Sequence, residues 1–425
     1  MRIQRMSILA LVLVPSLLFP APAAASPLVP SAVVLDWNAT AVDTVRAAGK
    51  LQAEGELYMG YVQAAVYDAV TAIVGQYEQY RTGLVAPANA SPDVAAAAAA
   101  HRVLVNYFPA SQPTLDRKYS SFIASYPDAG AAVAGAAVGE AAAAAIIGMR
   151  AGDVRSGTGG YAFGTPGPGV WTLPTPDSRA TAPQTPWLRN ITPFMLISSD
   201  QFRVEAPPAL SSQAFITDLD EVALYGGSAS ALRTSEMSVI ARFWTANVIN
   251  QYNLALRRVA ADHSMDIART ARLLAMGNMV VADAGIACWD SKYAYSFWRP
   301  IQAVRVSDPT WTPFLAPTQN HPDYPSAHGC LTAAIGHVFA IALGTHRIDV
   351  DIPGVNPATL VLDPTYTRHF DTVNDMTREI EDARVWAGYH FRGSVIEGVD
   401  LGQAVARFDL NHNFRPIDMD SEAVD

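Results

Sequence analysis

The chain has 425 residues, half of them hydrophobic, and a formal charge of −10. That length allows one large domain or two interlocked subdomains around an extensive core. The acidic balance argues against nucleic acid and anionic membranes as partners, and makes any local cluster of cations stand out.

Arg2 and Arg5 precede an apolar run from Ser7 to Phe19 and a small-residue stretch ending in Ala23-Ala24-Ala25. A basic start, a short hydrophobic segment and an A-x-A ending predict a cleavable secretory signal over residues 1–25. The run is shorter than the roughly 18–20 residues of a membrane span, so the expected product is a secreted or periplasmic protein. An N-terminal helical region is expected over 26–190 and a second one, carrying the chemistry, over 191–425. Helical periodicity runs from Asp36 to Tyr80. Pro92–Tyr107 and Ala129–Arg150 are rich in alanine, the strongest helix former. Ala131–Met149 is long enough to suggest a span, but Glu140 at its middle and its Ala/Gly content predict a buried helix of a soluble protein. No other strongly apolar run after residue 25 reads as long enough to cross a bilayer, so no membrane is expected as a partner.

Gly152–Trp187 is crowded with glycine and proline, predicting a long loop that either covers a pocket mouth or links two helical halves. Helix resumes, with interruptions, from Thr234 to Trp298, then over Ser326–Leu343 and Asp371–Gly388. Few segments alternate with period two. The expected fold is all-α, built as two halves resembling four-helix bundles with the site in the C-terminal one. Cys288 and Cys330 lie close to the motifs below, as free thiols or as one disulfide.

Three motifs carry the chemistry. Lys292 and Arg299 flank Tyr-Ala-Tyr-Ser-Phe-Trp; seven residues are nearly two helical turns, so the two cations are predicted to share one helix face, about 10 Å apart. His321-Pro-Asp-Tyr-Pro-Ser326-Ala327-His328 leads into an apolar helix. Ser326 reads as its N-cap, where free backbone N–H groups bind anions, and His328 lies in the first turn. Arg384 and His390 are six residues apart, about 120° around an ideal helix, so Gly388 must end the helix for His390 to turn in.

Lys-x6-Arg-Pro, Pro-Ser-x-His and Arg-x5-His in this order resemble the three-part signature of vanadium-dependent haloperoxidases, a superfamily that also holds acid and lipid phosphatases. Asp283, Trp289, Phe297-Trp298-Arg299-Pro300 and Arg368-His369-Phe370-Asp371 are similar to the chloroperoxidase branch. The resemblance spans Phe243 to His390. It implies vanadate as cofactor and His390 as the metal ligand. Lys292, Arg299, Arg384, the Ser326 hydroxyl and the Ala327 amide would then hold the oxyanion, with His328 as the acid–base group. It implies hydrogen peroxide and halide as substrates, hypohalous acid as product and an organic acceptor as a further partner. Brominating relatives place a histidine where His321 stands, which points to bromide or iodide.

The same pocket could serve a secreted acid phosphatase acting through a phosphohistidine at His390, or a phosphate-binding protein without catalysis. Four positions depart from the family pattern. Ala327 replaces a glycine and Ala383 a serine. Ser394 replaces the aspartate expected to orient His390, which weighs against phosphatase chemistry. Asn247 stands where the chloroperoxidase branch supports the acid–base histidine with an aspartate. His101, His263, His337, His346, His369 and His412 have no motif support. No H-E-x-x-H, P-loop or zinc-spaced Cys/His cluster is present.

Overall fold

The computed structural model describes residues 31–81, 83–173 and 182–417. The predicted signal segment lies outside them.

In chain order the helices are α1 (Ala32–Ala47), α2 (Gln52–Val74), α3 (Pro92–Tyr107), α4 (Gln112–Ala124), α5 (Ala129–Met149), α6 (Gln213–Tyr225), α7 (Ser235–Phe243), α8 (Val248–Asp262), α9 (Ile267–Tyr295), α10 (Pro300–Val304) and α11 (Ala327–Leu343). An antiparallel hairpin, β1 (Arg347–Val355) and β2 (Leu362–Thr372), precedes α12 (Val373–Trp386) and α13 (Arg392–His412). The fold is helical as expected, apart from this hairpin. The alanine-rich segments form helices at the predicted places, whereas Asp36–Tyr80 breaks in two at Gly49, whose φ is +67°.

α1, α2, α3 and α5 pack together, as do α9, α11, α12 and α13, and α2 lies along α9. One hydrophobic core runs from Val34 to Phe414 through both groups. Alanine lets helices approach closely. A Cβ on Gly139 of α5 would lie 2.3 Å from the Ala95 carbonyl oxygen of α3, whose Val94–Ala100 stretch is fully buried. The same device seats α13 on α11: a Cβ on Gly398 would lie 2.5 Å from Ser326 O.

Two expectations about apolar helices need correction. By length and composition alone α2, α5 and α9 could each cross a membrane; within the fold their most apolar windows are 83%, 39% and 94% buried. α5 is also not the buried helix its composition suggests. Val133 is exposed, and Glu140 faces solvent 3.6 Å from Arg102.

Candidate active site

Lys292 projects from the last turn of α9 and is fully buried. Its ammonium donates to the carbonyls of Pro322 and Asp323, both at 2.9 Å, and of Pro325. All three of its protons thus hold the 322–325 loop in place. α9 then stops, because Ser296 adopts a left-handed backbone with φ +48°. Arg299 therefore does not share a helix face with Lys292. It stands on extended backbone before α10, and its Nε and Nη1 donate to His321 O and Tyr389 O at 2.8 and 3.1 Å. Nη2 lies 2.9 Å from His321 Nδ1. The prediction failed because periodicity was extended through a residue that ends the helix.

The 321–326 segment delivers Ser326 to the N-cap position of α11, but its hydroxyl does not cap the helix. Its Oγ is buried without a partner, as is His328 Nε2. The Ser326 amide donates to Ser394 O at 2.7 Å, locking the start of α11 to α13. Ala327 is the first helical residue and keeps negative φ, so the missing glycine costs no strain there.

Gly388 ends α12 as predicted, with φ +77°. A Cβ there would lie 2.3 Å from Gly226 O, so two constraints select glycine. The turn carries His390 back toward Arg384. The Arg384 guanidinium stacks on the Tyr389 ring at 4.9 Å and donates through Nη1 to Trp244 O at 3.2 Å, leaving Nε buried and unpartnered.

The sequence reading missed Asp323. Its Oδ1 is 2.8 Å from His390 Nδ1, an ion-pair separation in which the ring N–H is off the line to the oxygen. Both side chains are buried. The carboxylate beside His390 thus comes from the second motif rather than from position 394. Ser394 instead donates to the Asp323 main-chain carbonyl at 3.1 Å. The absence of an aspartate at 394 therefore no longer separates the two chemistries. Asn247 lines the cavity but its side chain caps α8, accepting from Ile249 N at 3.1 Å.

Burial sets the electrostatics. It lowers Lys292 to about 8, with Arg299 adding to the depression and Cys288 opposing it. Burial pushes Asp323 up to about 7, against the pull of Arg299 and Lys292. His390, His328 and His321 fall well below the ordinary imidazole value, first by burial and then through neighbouring cations. At neutral pH the imidazoles are uncharged. Lys292, Arg299 and Arg384 then outnumber the single carboxylate, Asp323, leaving a buried excess of positive charge.

A cavity of about 530 Å³ opens onto this cluster. Ala327, His328, Arg384 and His390 border it, while Lys292, Arg299 and Ser326 lie behind its wall. Gln184 and Thr185, at the end of the Gly/Pro-rich segment, form part of its lining, and the Gln184 carbonyl accepts from Tyr293 Oη at 2.7 Å. Cys288 and Cys330 are buried free thiols, the former 3.8 Å from Pro325 O. The histidines without motif support do not border this cavity. His101, for instance, pairs with Asp116 at 2.8 Å.

Residues 272–308 and 305–419 match the second helical-bundle domain of the VCPO family. The chain is 26% identical over 307 residues to the vanadium chloroperoxidase of Curvularia inaequalis, an alignment covering 55% of this chain and 50% of that one. The chain is a relative of the vanadium haloperoxidases. It spans about half the length of the curated relative it matches. Two solved structures share its fold. The first bacterial vanadium-dependent iodoperoxidase superposes with a TM-score of 0.75 at 22% identity, covering 90% of this chain and 97% of that one. A holo-type bacterial vanadium-dependent chloroperoxidase gives 0.66 at 17%, covering 89% and 93%.

The residues present suit a vanadium haloperoxidase's oxyanion. Ser326 Oγ, His328 Nε2 and Arg384 Nε are buried polar atoms without partners, set among excess cations. Such atoms are costly to leave unpaired, and a tetrahedral anion with several acceptor oxygens can satisfy the donors among them.

Proposed function

We propose that the protein is a vanadate-dependent haloperoxidase that oxidises halide with hydrogen peroxide to hypohalous acid. The observation that carries this reading is the set of unpartnered, buried Ser326 Oγ and Arg384 Nε around a neutral His390. When bound, vanadate supplies a Lewis-acidic centre at which peroxide is polarised toward attack by halide. With Nδ1 facing Asp323, His390 offers Nε2 as the ligand nitrogen. Arg384 neutralises the oxyanion together with the Ser326 hydroxyl and the Ala327 amide, and Arg299, whose guanidinium is bonded to His321 and Tyr389, adds its charge from behind them. Lys292 contributes its charge from behind the 322–325 loop. His328, neutral and facing the cavity, takes a proton from incoming peroxide and returns it to the departing product.

His321 lies tilted against Trp289, at 5.1 Å between centroids, and bonds to Arg299; with a histidine at this place the halide we propose is bromide or iodide. The reading also places the mature protein outside the cytoplasm, after loss of residues 1–25.

The test is a paired assay on purified protein. Iodide and bromide oxidation should depend on added vanadate, and p-nitrophenyl phosphate hydrolysis measured without vanadate is the competing readout. A fast phosphatase that vanadate only inhibits, with no halide oxidation at any pH, would overturn the proposal in favour of phosphohistidine chemistry at His390.

A further inference from the structure

Two nucleophilic groups beside the oxyanion cluster have no part in the chemistry above. Cys288 lies one helical turn before Lys292 on α9, and Cys330 one turn after Ser326 on α11. Both are fully buried free thiols, on two helices that pack against each other. Cys288 Sγ is 3.8 Å from Pro325 O, the carbonyl that also accepts from Lys292. The Cys330 amide donates to Ser326 O at 3.1 Å, and a Cβ on Gly402 of α13 would overlap the Cys330 carbonyl, so that backbone is held from both sides. The two thiols share a hydrogen bond.

Their surroundings make the two sulfurs unlike. Burial pushes the Cys288 thiol up, but the hydrogen bond from Cys330 and the charge of Lys292 outweigh it and hold the thiol below its ordinary value. Burial and that same hydrogen bond push Cys330 well above it. Cys288 is therefore the better source of thiolate, the form that attacks an oxidant, and Cys330 is its protonated neighbour. A buried thiol in apolar surroundings is inert. One beside a cation, with a second thiol within hydrogen-bond reach, is arranged for reversible oxidation.

We propose that Cys288 and Cys330 are a peroxide-reactive pair that closes to a reversible disulfide behind the oxyanion cluster. The Cys288 sulfur attacks hydrogen peroxide; an S–O bond forms as the O–O bond breaks, and the departing hydroxide leaves as water with the thiol's proton. The Cys330 sulfur then attacks Cys288; the S–S bond forms, the S–O bond breaks, and hydroxide leaves as a second water with the Cys330 proton. Two thiols are oxidised and one peroxide is reduced. Hydrogen peroxide occupies about one or two water volumes, ~30–60 Å³, so small local openings of the fold admit it. The link ties the end of α9 that carries Lys292 to the start of α11 that carries Ser326 and His328, and it spares Cys288 from irreversible sulfinic acid. The proposal rests on the haloperoxidase reading only for the supply of peroxide at this place.

The experiment treats the folded, vanadium-free protein with hydrogen peroxide, then alkylates it in denaturant and maps the peptides by mass spectrometry. Both thiols should be lost, with the Cys288 and Cys330 peptides joined within one chain, and dithiothreitol should restore both. In Cys330→Ser, Cys288 should pass through a sulfenic acid that dimedone traps to a sulfinic acid that dithiothreitol does not reverse. In Cys288→Ser, Cys330 should react at least about tenfold more slowly than Cys288 does in Cys330→Ser. The proposal is overturned if both thiols of the wild type survive peroxide, if they reach sulfinic acid without the link, if the link joins two chains, or if Cys330 alone reacts as fast as Cys288 alone. A disulfide that forms in a protein without vanadate-dependent halide oxidation would remove the haloperoxidase reading and leave the reactive pair in place.

Discussion

His390 Nδ1 lies 2.8 Å from Asp323 Oδ1 with both side chains buried, and a small rotation of the ring would bring its N–H into line, so that the carboxylate holds the proton on Nδ1 and Nε2 faces a metal. Asp323→Asn should raise the dissociation constant for vanadate about 10–100-fold with the fold intact, read by vanadate titration. Unchanged affinity would show that the pair does not set the ligand's tautomer. Ser394→Asp would bury a second carboxylate next to Asp323, whose own acidity burial already suppresses. It should lower thermal stability rather than improve catalysis. Lys292 and Arg384 separate two roles by the same logic. Lys292→Ala leaves three buried carbonyls without a donor, at about 1–3 kcal/mol each, and should cost stability as well as anion binding. Arg384→Ala, which strands one carbonyl, should act mainly on anion binding. Melting temperature and vanadate affinity together distinguish the two. The motifs made the six polar residues legible because order and spacing survive in the chain. Asp323 lay inside a quoted motif yet passed unnoticed, since nothing in the string His321-Pro-Asp-Tyr-Pro-Ser says which side chain turns toward a histidine 67 residues away.

Helices held by close contact are legible from small residues, and the places where they stop are less so. α3 and α5 follow from alanine content, and Gly388 was identifiable as the end of α12. Ser296 was not, because serine gives no warning of a left-handed backbone. The hairpin had a signal that helical periodicity elsewhere obscured: Ile348, Val350 and Ile352 are buried, alternating with exposed Arg347, Asp349 and Asp351. The glycine turn after α12 is the most exposed to mutation. Gly388→Ala combines an unfavourable φ with a 2.3 Å approach to Gly226 O. It should cost about 2–4 kcal/mol and weaken vanadate binding, as the turn carrying His390 shifts against Arg384. Calorimetry and vanadate titration on the same sample would show both losses, and loss of neither would mean that the turn relaxes freely.

The molecule as a whole carries a buried carboxyl away from the site chemistry. Glu56 of α2 is 2% exposed, its Oε1 has no partner, and burial raises it from 4.5 to about 8. Between those values the folded chain keeps a proton that the unfolded chain has released. Stability therefore falls as pH rises through that window and levels off above it. Glu56→Gln should remove this group's share of the slope, to which the buried Asp323, Asp283 and Asp409 also contribute, matching the wild type near pH 4 and exceeding it by on the order of a few kcal/mol near pH 9. Equal melting temperatures for the two proteins across that range would rule out Glu56 as the source.

Enclosing α9, with a window as apolar as a bilayer span yet 94% buried, also shapes how the protein fails. An opening wide enough to uncover that helix presents a long greasy segment to any neighbouring molecule, and capture by aggregation then outruns reclosure. Heat inactivation should accordingly be irreversible, with a midpoint that climbs as the scan is made faster. The working lifetime of the protein is then a matter of how rarely α9 is uncovered, a rate rather than an equilibrium.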